Sequence, residues 1–274
     1  MIKHYLAIST MLLAPLSAQA TAWTLGATLP SGISSITAFS TAQTTSTTGG
    51  ALFQAATLQS YPGLGITATN DLDGGSPDHA MDNDGGRSTT TDNPIDGAVD
   101  AALFQFSAGT SLSSLTINWK NDTTYSSGDA DLSVLAYTGS LNSGALPLNA
   151  NVSGESFANL LSRGWTFIGN YNMGSVNTAK TINTGNVYSS YWLVSAYTSV
   201  AGSGKGDAAG VLDFGNDYFK LSGMSGTVCT GTTTNGVCGS GGGAGSVPEP
   251  TSLLLLASGM LGWRMNRKRH TIAA

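Results

Sequence analysis

The chain has 274 residues, 41% of them hydrophobic and only 10% charged, with 36 glycines and a formal net charge of −5. With both ends set aside, that length suits one core of about 150 to 220 residues and is too short for several large domains. Sparse charge in a Gly-, Ser- and Thr-rich chain excludes a helical bundle, whose exposed faces carry Glu, Lys and Arg, and points to exported β-structure.

At the N-terminus, Lys3 gives a positive start, Tyr5 to Leu16 an apolar stretch, and Ala18-Gln19-Ala20 a small-x-small cleavage site. The stretch is shorter than the ~20 residues a membrane helix needs, so residues 1–20 are predicted to be a signal peptide cleaved after Ala20. The extracellular domain is then predicted to span residues 21–238. It holds 15 of the 16 acids against six basic residues, a formal charge of −9. That balance argues against nucleic acid or anionic lipid as a partner.

Residues 70–100, NDLDGGSPDHAMDNDGGRSTTTDNPIDGAVD, contain eight Asp and no Glu, half of all the acids in the chain. Carboxylates this dense repel one another at neutral pH unless something positive sits among them. Short acids interleaved with Gly and Asn are what a calcium loop uses, because Ca²⁺ takes about six to eight oxygen ligands and needs a tightly turning backbone. The EF-hand template fails. Counted from Asp71, Gly75 falls at position 5 and Asp82 stands where the bidentate Glu of position 12 belongs. Two readings stand: a non-EF structural calcium site drawing on Asp71, Asp73, Asp78, Asp82, Asn83 and Asp84, or a solvated loop whose Asp and Asn side chains bond their own backbone. The calcium site is the expectation taken forward. His79 is the sole histidine of residues 21–238. It is read as a structural hydrogen-bonding group beside Asp82, since no G-x-S-x-G elbow accompanies it and one His with several Asp makes an unusual zinc site.

Strand signals outnumber helix signals through the rest of the domain. Residues 101–119 read as two alternating strands around Ala108-Gly109-Thr110, followed by strands at 131–139, 164–171, 191–198 and 210–223. Short strands separated by Gly, Asn and Ser predict an all-β fold, a β-sandwich of the jelly-roll type. One short connecting helix is predicted in SGESFANLLSRGW, capped by Ser153, with Phe157, Leu160 and Leu161 on one face and Gly164 at its end. AGSGKGDAAG, at 201–210, imitates a phosphate loop but lacks its first Gly and its Ser/Thr, so it is read as a flexible loop. Cys229 and Cys238 are an even pair in an exported chain, and Asn235-Gly236 between them offers a turn. They are predicted to form a disulfide.

Residues 239–246 are a Gly/Ser linker, expected to be a flexible coil. Beyond it, Val247-Pro248-Glu249-Pro250 precedes an apolar run at 251–263, and Arg264, Arg267, Lys268 and Arg269 follow. If the run inserts as a membrane helix, the positive-inside rule keeps the basic tail cytoplasmic and places everything before Val247 on the far side. This order of unlike elements over 247–270 resembles the PEP-CTERM sorting signal of exosortase substrates, surface or extracellular-matrix proteins of Gram-negative bacteria. The resemblance implies transient anchoring in the inner membrane, cutting by exosortase near the Pro-Glu-Pro, and release of the domain to the cell surface or matrix.

The Ser-Pro-x-His-x-x-Asp-Asn pattern of Ser76, Pro77, His79, Asp82 and Asn83, with Asp129 and Asp131 further on, also looks like a recurring domain of exosortase-dependent surface proteins. No catalytic role is implied by it. Three functions follow in order of preference. The first is a non-catalytic surface or matrix component joined to exopolysaccharide. The second is a calcium-braced carbohydrate-binding module using aromatics such as Trp119, Trp165, Tyr191 and Trp192, most of which are expected to face the core because their strands alternate. The third is a hydrolase using the Asp-rich loop.

Overall fold

The structure, a computed structural model, describes residues 20–41, 51–60, 62–68, 80–83, 98–120, 130–139, 150–212 and 217–239. The chain divides after Gly239, and all of the described residues belong to the first unit, Met1–Gly239. Its elements begin with β1 (Thr21–Thr24), β2 (Ile33–Thr41), β3 (Phe53–Ala55), β4 (Thr57–Gln59), β5 (Gly65–Thr67) and β6 (Met81–Asp82). The central strands β7 (Asp100–Lys120) and β8 (Asp131–Tyr137) follow, then helix α1 (Phe157–Ser162), β9 (Trp165–Asn172) and β10 (Lys180–Thr181). The last are β11 (Ser189–Ala196), β12 (Tyr218–Val228), β13 (Thr233–Thr234) and β14 (Val237–Cys238). The protein is thus mostly antiparallel β-sheet with one short helix.

The main sheet runs β1-β12-β7-β11-β8-β9, with β2 and β10 also pairing β7, and β6 pairing β12. Strand β8 lies inside the sheet, between β11 and β9. All seven of its residues are buried, so both faces of the strand are covered. Strand β12 instead alternates, burying Phe219, Leu221 and Met224 while Lys220 and Ser222 stay partly exposed.

Strand β7 departs from expectation. The chain does not reverse at Ala108-Gly109-Thr110, and one 21-residue strand replaces the two expected. Its register with β11 jumps from Ser189↔Thr110 to Tyr191↔Gln105, a bulge that bends the strand. Residues 100–106 pair with β2, and 110–120 pair with β12. Trp192, fully buried, secures the bend by donating its indole N–H to the carbonyls of Thr110 (3.0 Å) and Ser189 (3.1 Å). Gly109 serves packing rather than a turn, because a Cβ there would meet Thr233 Oγ1 at 1.8 Å.

Helix α1 forms where predicted, but its cap is Ser156, whose hydroxyl accepts from the Asn159 N–H at 3.2 Å. Ser153 is drawn instead into a turn with Asn151. Phe157 and Leu160 are buried, and Phe157 meets the Phe53 ring edge-on at 4.9 Å. Gly164, at φ +99°, ends the helix as expected. The expected strand at 210–223 begins only at Tyr218 and runs on to Val228. Residues 201–210 are pinned rather than loose. Lys205 donates to the Phe167 carbonyl at 2.9 Å, Asp207 pairs with Lys180 at 2.6 Å, and Gly206 lies so close to Asn170 that a Cβ would meet its carbonyl at 2.0 Å.

Cys229 and Cys238 form the predicted disulfide, with Cα atoms 5.6 Å apart. Asn235 (φ 50°) and Gly236 (φ 79°) are both left-handed, the requirement of the two-residue turn that joins β13 to β14. Constraining so short a loop in the unfolded chain stabilises by about 2 to 3 kcal/mol. Replacing both cysteines by serine is expected to lower the unfolding free energy by that amount in a urea titration, while circular dichroism of the main sheet stays unchanged.

Candidate functional site

The described residues bring one part of the acidic stretch together with two distant acids. Strand β6 pairs with the start of β12 through Tyr218↔Asp82 and Phe219↔Met81, which carries Asn83 to Asp217. Asn83, Asp131 and Asp217 are all fully buried. The Asp217 carboxylate accepts from the Asn83 amide through Oδ2 and from the Asp131 backbone N–H through Oδ1, each at 2.5 Å. The Asn83 Nδ2 also donates to the Tyr197 carbonyl at 3.0 Å, and its Oδ1 accepts from the Asp217 N–H at 3.3 Å. Acceptors on one side and an N–H on the other fix the orientation of the amide. Tyr197 in turn donates its backbone N–H to the Asp131 carbonyl at 3.1 Å. The cluster thereby ties β6, the start of β8, the end of β11 and the start of β12.

The acidic stretch is therefore not a uniformly solvated loop. Ala80, Met81 and Asn83 are buried, and Asp100 is only 3% exposed at the start of β7, while Asp82 is half-buried. Asp71, Asp73, Ser76, Pro77, Asp78, His79, Asp84 and Asp129 lie outside the described residues, as do Val247 to Pro250, the run at 251–263 and the basic tail. Among the described residues no group of three or more His, Cys, Asp or Glu is arranged to hold a metal ion. No helix among them is long and apolar enough to cross a membrane.

Asp217 was not singled out by sequence reasoning. It is one acid in a mixed stretch, and its partner Asn83 lies 134 residues away. The aromatics named for sugar stacking are largely spent on the core: Trp165, Tyr191 and Trp192 are all buried. Burial raises the Tyr191 phenol above its ordinary pKa. Trp119 carries the Lys220 ammonium 5.5 Å from its ring centroid, and burial lowers the pKa of that lysine.

A second feature lies beside the disulfide. The β13–β14 turn docks on the sheet through Tyr188 N–H to Gly236 carbonyl, 2.7 Å, leaving a groove of about 390 Å³ between the hairpin and residues 185–188.

No curated protein and no solved structure matches the chain. Residues 246–269 match the family model of the PEP-CTERM protein-sorting motif, and that signal implies an exported protein processed by exosortase and anchored only transiently in the membrane.

Proposed function

We propose that the protein is a non-catalytic surface or extracellular-matrix component of a Gram-negative cell envelope, released by exosortase and associated with exopolysaccharide. The observation that carries this reading is the sorting motif at 246–269. The non-catalytic part is supported by the full burial of the Asp131 and Asp217 side chains, which lie out of reach of a substrate, the Asp217 carboxylate accepting two of the fold's own hydrogen bonds. The scaffold is read as a jelly-roll-type sandwich, supported by the way β7 serves two sets of partner strands.

Calcium bracing of the acidic stretch belongs to the same proposal. The donor set is all oxygen, which suits Ca²⁺. Asn83 and Asp217 already spend oxygens on N–H donors. In this reading Asp82, half-buried in β6, joins Asp71, Asp73, Asp78 and Asp84 on the ion.

Calorimetric titration of Ca²⁺ into chelator-treated, processed protein tests this. The expected result is a saturable isotherm with a higher melting temperature, and Asp82→Asn weakens both. Absence of heat together with an unchanged melt removes calcium and leaves the sorting assignment intact.

A further inference from the structure

We infer that the groove beside the C-terminal hairpin is a binding site for a neutral oligosaccharide chain. This rests on the reading of the domain as associated with polysaccharide, and it supplies the place where the sugar is held.

The chemistry of the wall narrows the ligand. Thr138, Thr166, Asn186, Tyr188, Asn235 and Val237 line the groove, and none of the described residues that line it is charged. The domain carries a formal charge of −9, so a polyanion is repelled at long range and meets no Lys or Arg among the described residues of the wall. A cation finds no carboxylate among the described residues of the wall. What remains is a mixture of hydroxyl and amide groups with apolar surface, the combination that fits sugar hydroxyls and sugar ring faces. Thr138 Oγ1 and Thr166 Oγ1 lie 2.7 Å apart, and Thr138 Oγ1 also donates to the Gly164 carbonyl at 3.3 Å. Asn186 and Asn235 are exposed, and their side-chain amides hydrogen-bond no protein partner among the described residues. Val237 is 65% exposed, an apolar edge on an otherwise polar rim.

The walls are pre-formed. Asn183, buried and left-handed, donates to the carbonyls of Leu112 and Val187 at 3.0 Å and accepts from the Val187 N–H at 3.0 Å, which fixes the turn leading to Tyr188. On the opposite side Cys238 lines the groove, so the disulfide holds that wall in place. A ligand entering here orders little of the protein, which spares affinity. Gly236 completes the fit, because a Cβ there would press on Thr138 at 3.0 Å and Val187 at 3.2 Å and lift the hairpin from its seat.

The test is affinity electrophoresis of the exported, processed protein through gels containing dextran, a galactomannan or a mixed-linkage β-glucan, with alginate as the anionic comparison. The expected result is retardation by at least one neutral polymer and none by alginate. Tyr188→Ala and, on the exposed rim, Val237→Asp each weaken the retardation at least tenfold with unchanged melting temperature. Retardation that survives both substitutions overturns the groove as the site while leaving polysaccharide association standing. Lack of retardation by every neutral polymer also overturns it. Co-sedimentation with exopolysaccharide from the producing cells then decides the broader reading: persistence in the pellet sustains that reading, and loss from the pellet removes it as well.

Discussion

Asp217→Ala is expected to lower the unfolding free energy by about 2 to 4 kcal/mol, a large share of the ~5 to 15 kcal/mol that holds a domain of this kind folded. The substitution removes the acceptor of two buried donors, the Asn83 amide and the Asp131 backbone N–H, and water does not reach either. Each orphaned donor costs about 1 to 3 kcal/mol. Removing the buried carboxylate also relieves the cost of desolvating it, which sets the upper bound below the simple sum. Asp217→Asn is the sharper variant. It keeps the shape but turns one oxygen into an NH₂ group that opposes either the Asn83 Nδ2 or the Asp131 N–H, so it is expected to lose most of the same stability. Urea titrations of the two variants measure this. A loss below 0.5 kcal/mol in both, within the ordinary range for surface changes, would mean that the cluster does not tie the strand ends together.

Deleting residues 247–270 is expected to abolish exosortase processing completely while leaving export and folding of the domain unchanged. The deletion removes the matched motif together with the apolar run and all four basic residues of the tail. Without an apolar segment to hold in the bilayer and a basic tail to hold on the cytoplasmic side, nothing retains the chain for cutting. The described domain ends at Gly239, whose N–H is bonded to the Thr232 carbonyl at 2.9 Å, a bond that the deletion leaves in place. Fractionation is expected to show the truncated protein soluble outside the inner membrane. Truncated protein that stays in the membrane fraction would place the anchor elsewhere.

Much of this fold was legible because several of its main-sheet strands announce themselves locally. The expected 131–139, 164–171 and 191–198 segments became β8, β9 and β11 with shifts of only two residues, since each is an apolar, β-branched or aromatic run bounded by Gly, Asn or Ser. The Asn235-Gly236 turn and the disulfide it permits were likewise readable from adjacent residues. Gly109 was misread because glycine marks turns and close approaches alike, and only the distant Thr233 decides between them. The helix cap moved from Ser153 to Ser156 for a similar reason: both are serines before the same apolar face, and Asn151 captures the first.

The buried cluster was half legible. Asn83 and Asp131 stood out through the pattern around them. Asp217, which joins them, did not, because contacts across 134 and 86 residues leave no local trace in composition or periodicity. The groove was invisible for the same reason, being assembled from β8, β9, the 183–188 turn and the hairpin.

The central claim, that the C-terminal segment directs processing of an exported domain, is tested most directly by intact-mass spectrometry. The protein is expressed in a Gram-negative host that has an exosortase and in the same host lacking it. The predicted result is a C-terminus within or beside residues 246–250 in the first host and a membrane-held precursor retaining residues 251–274 in the second. The same C-terminus in both hosts would contradict it.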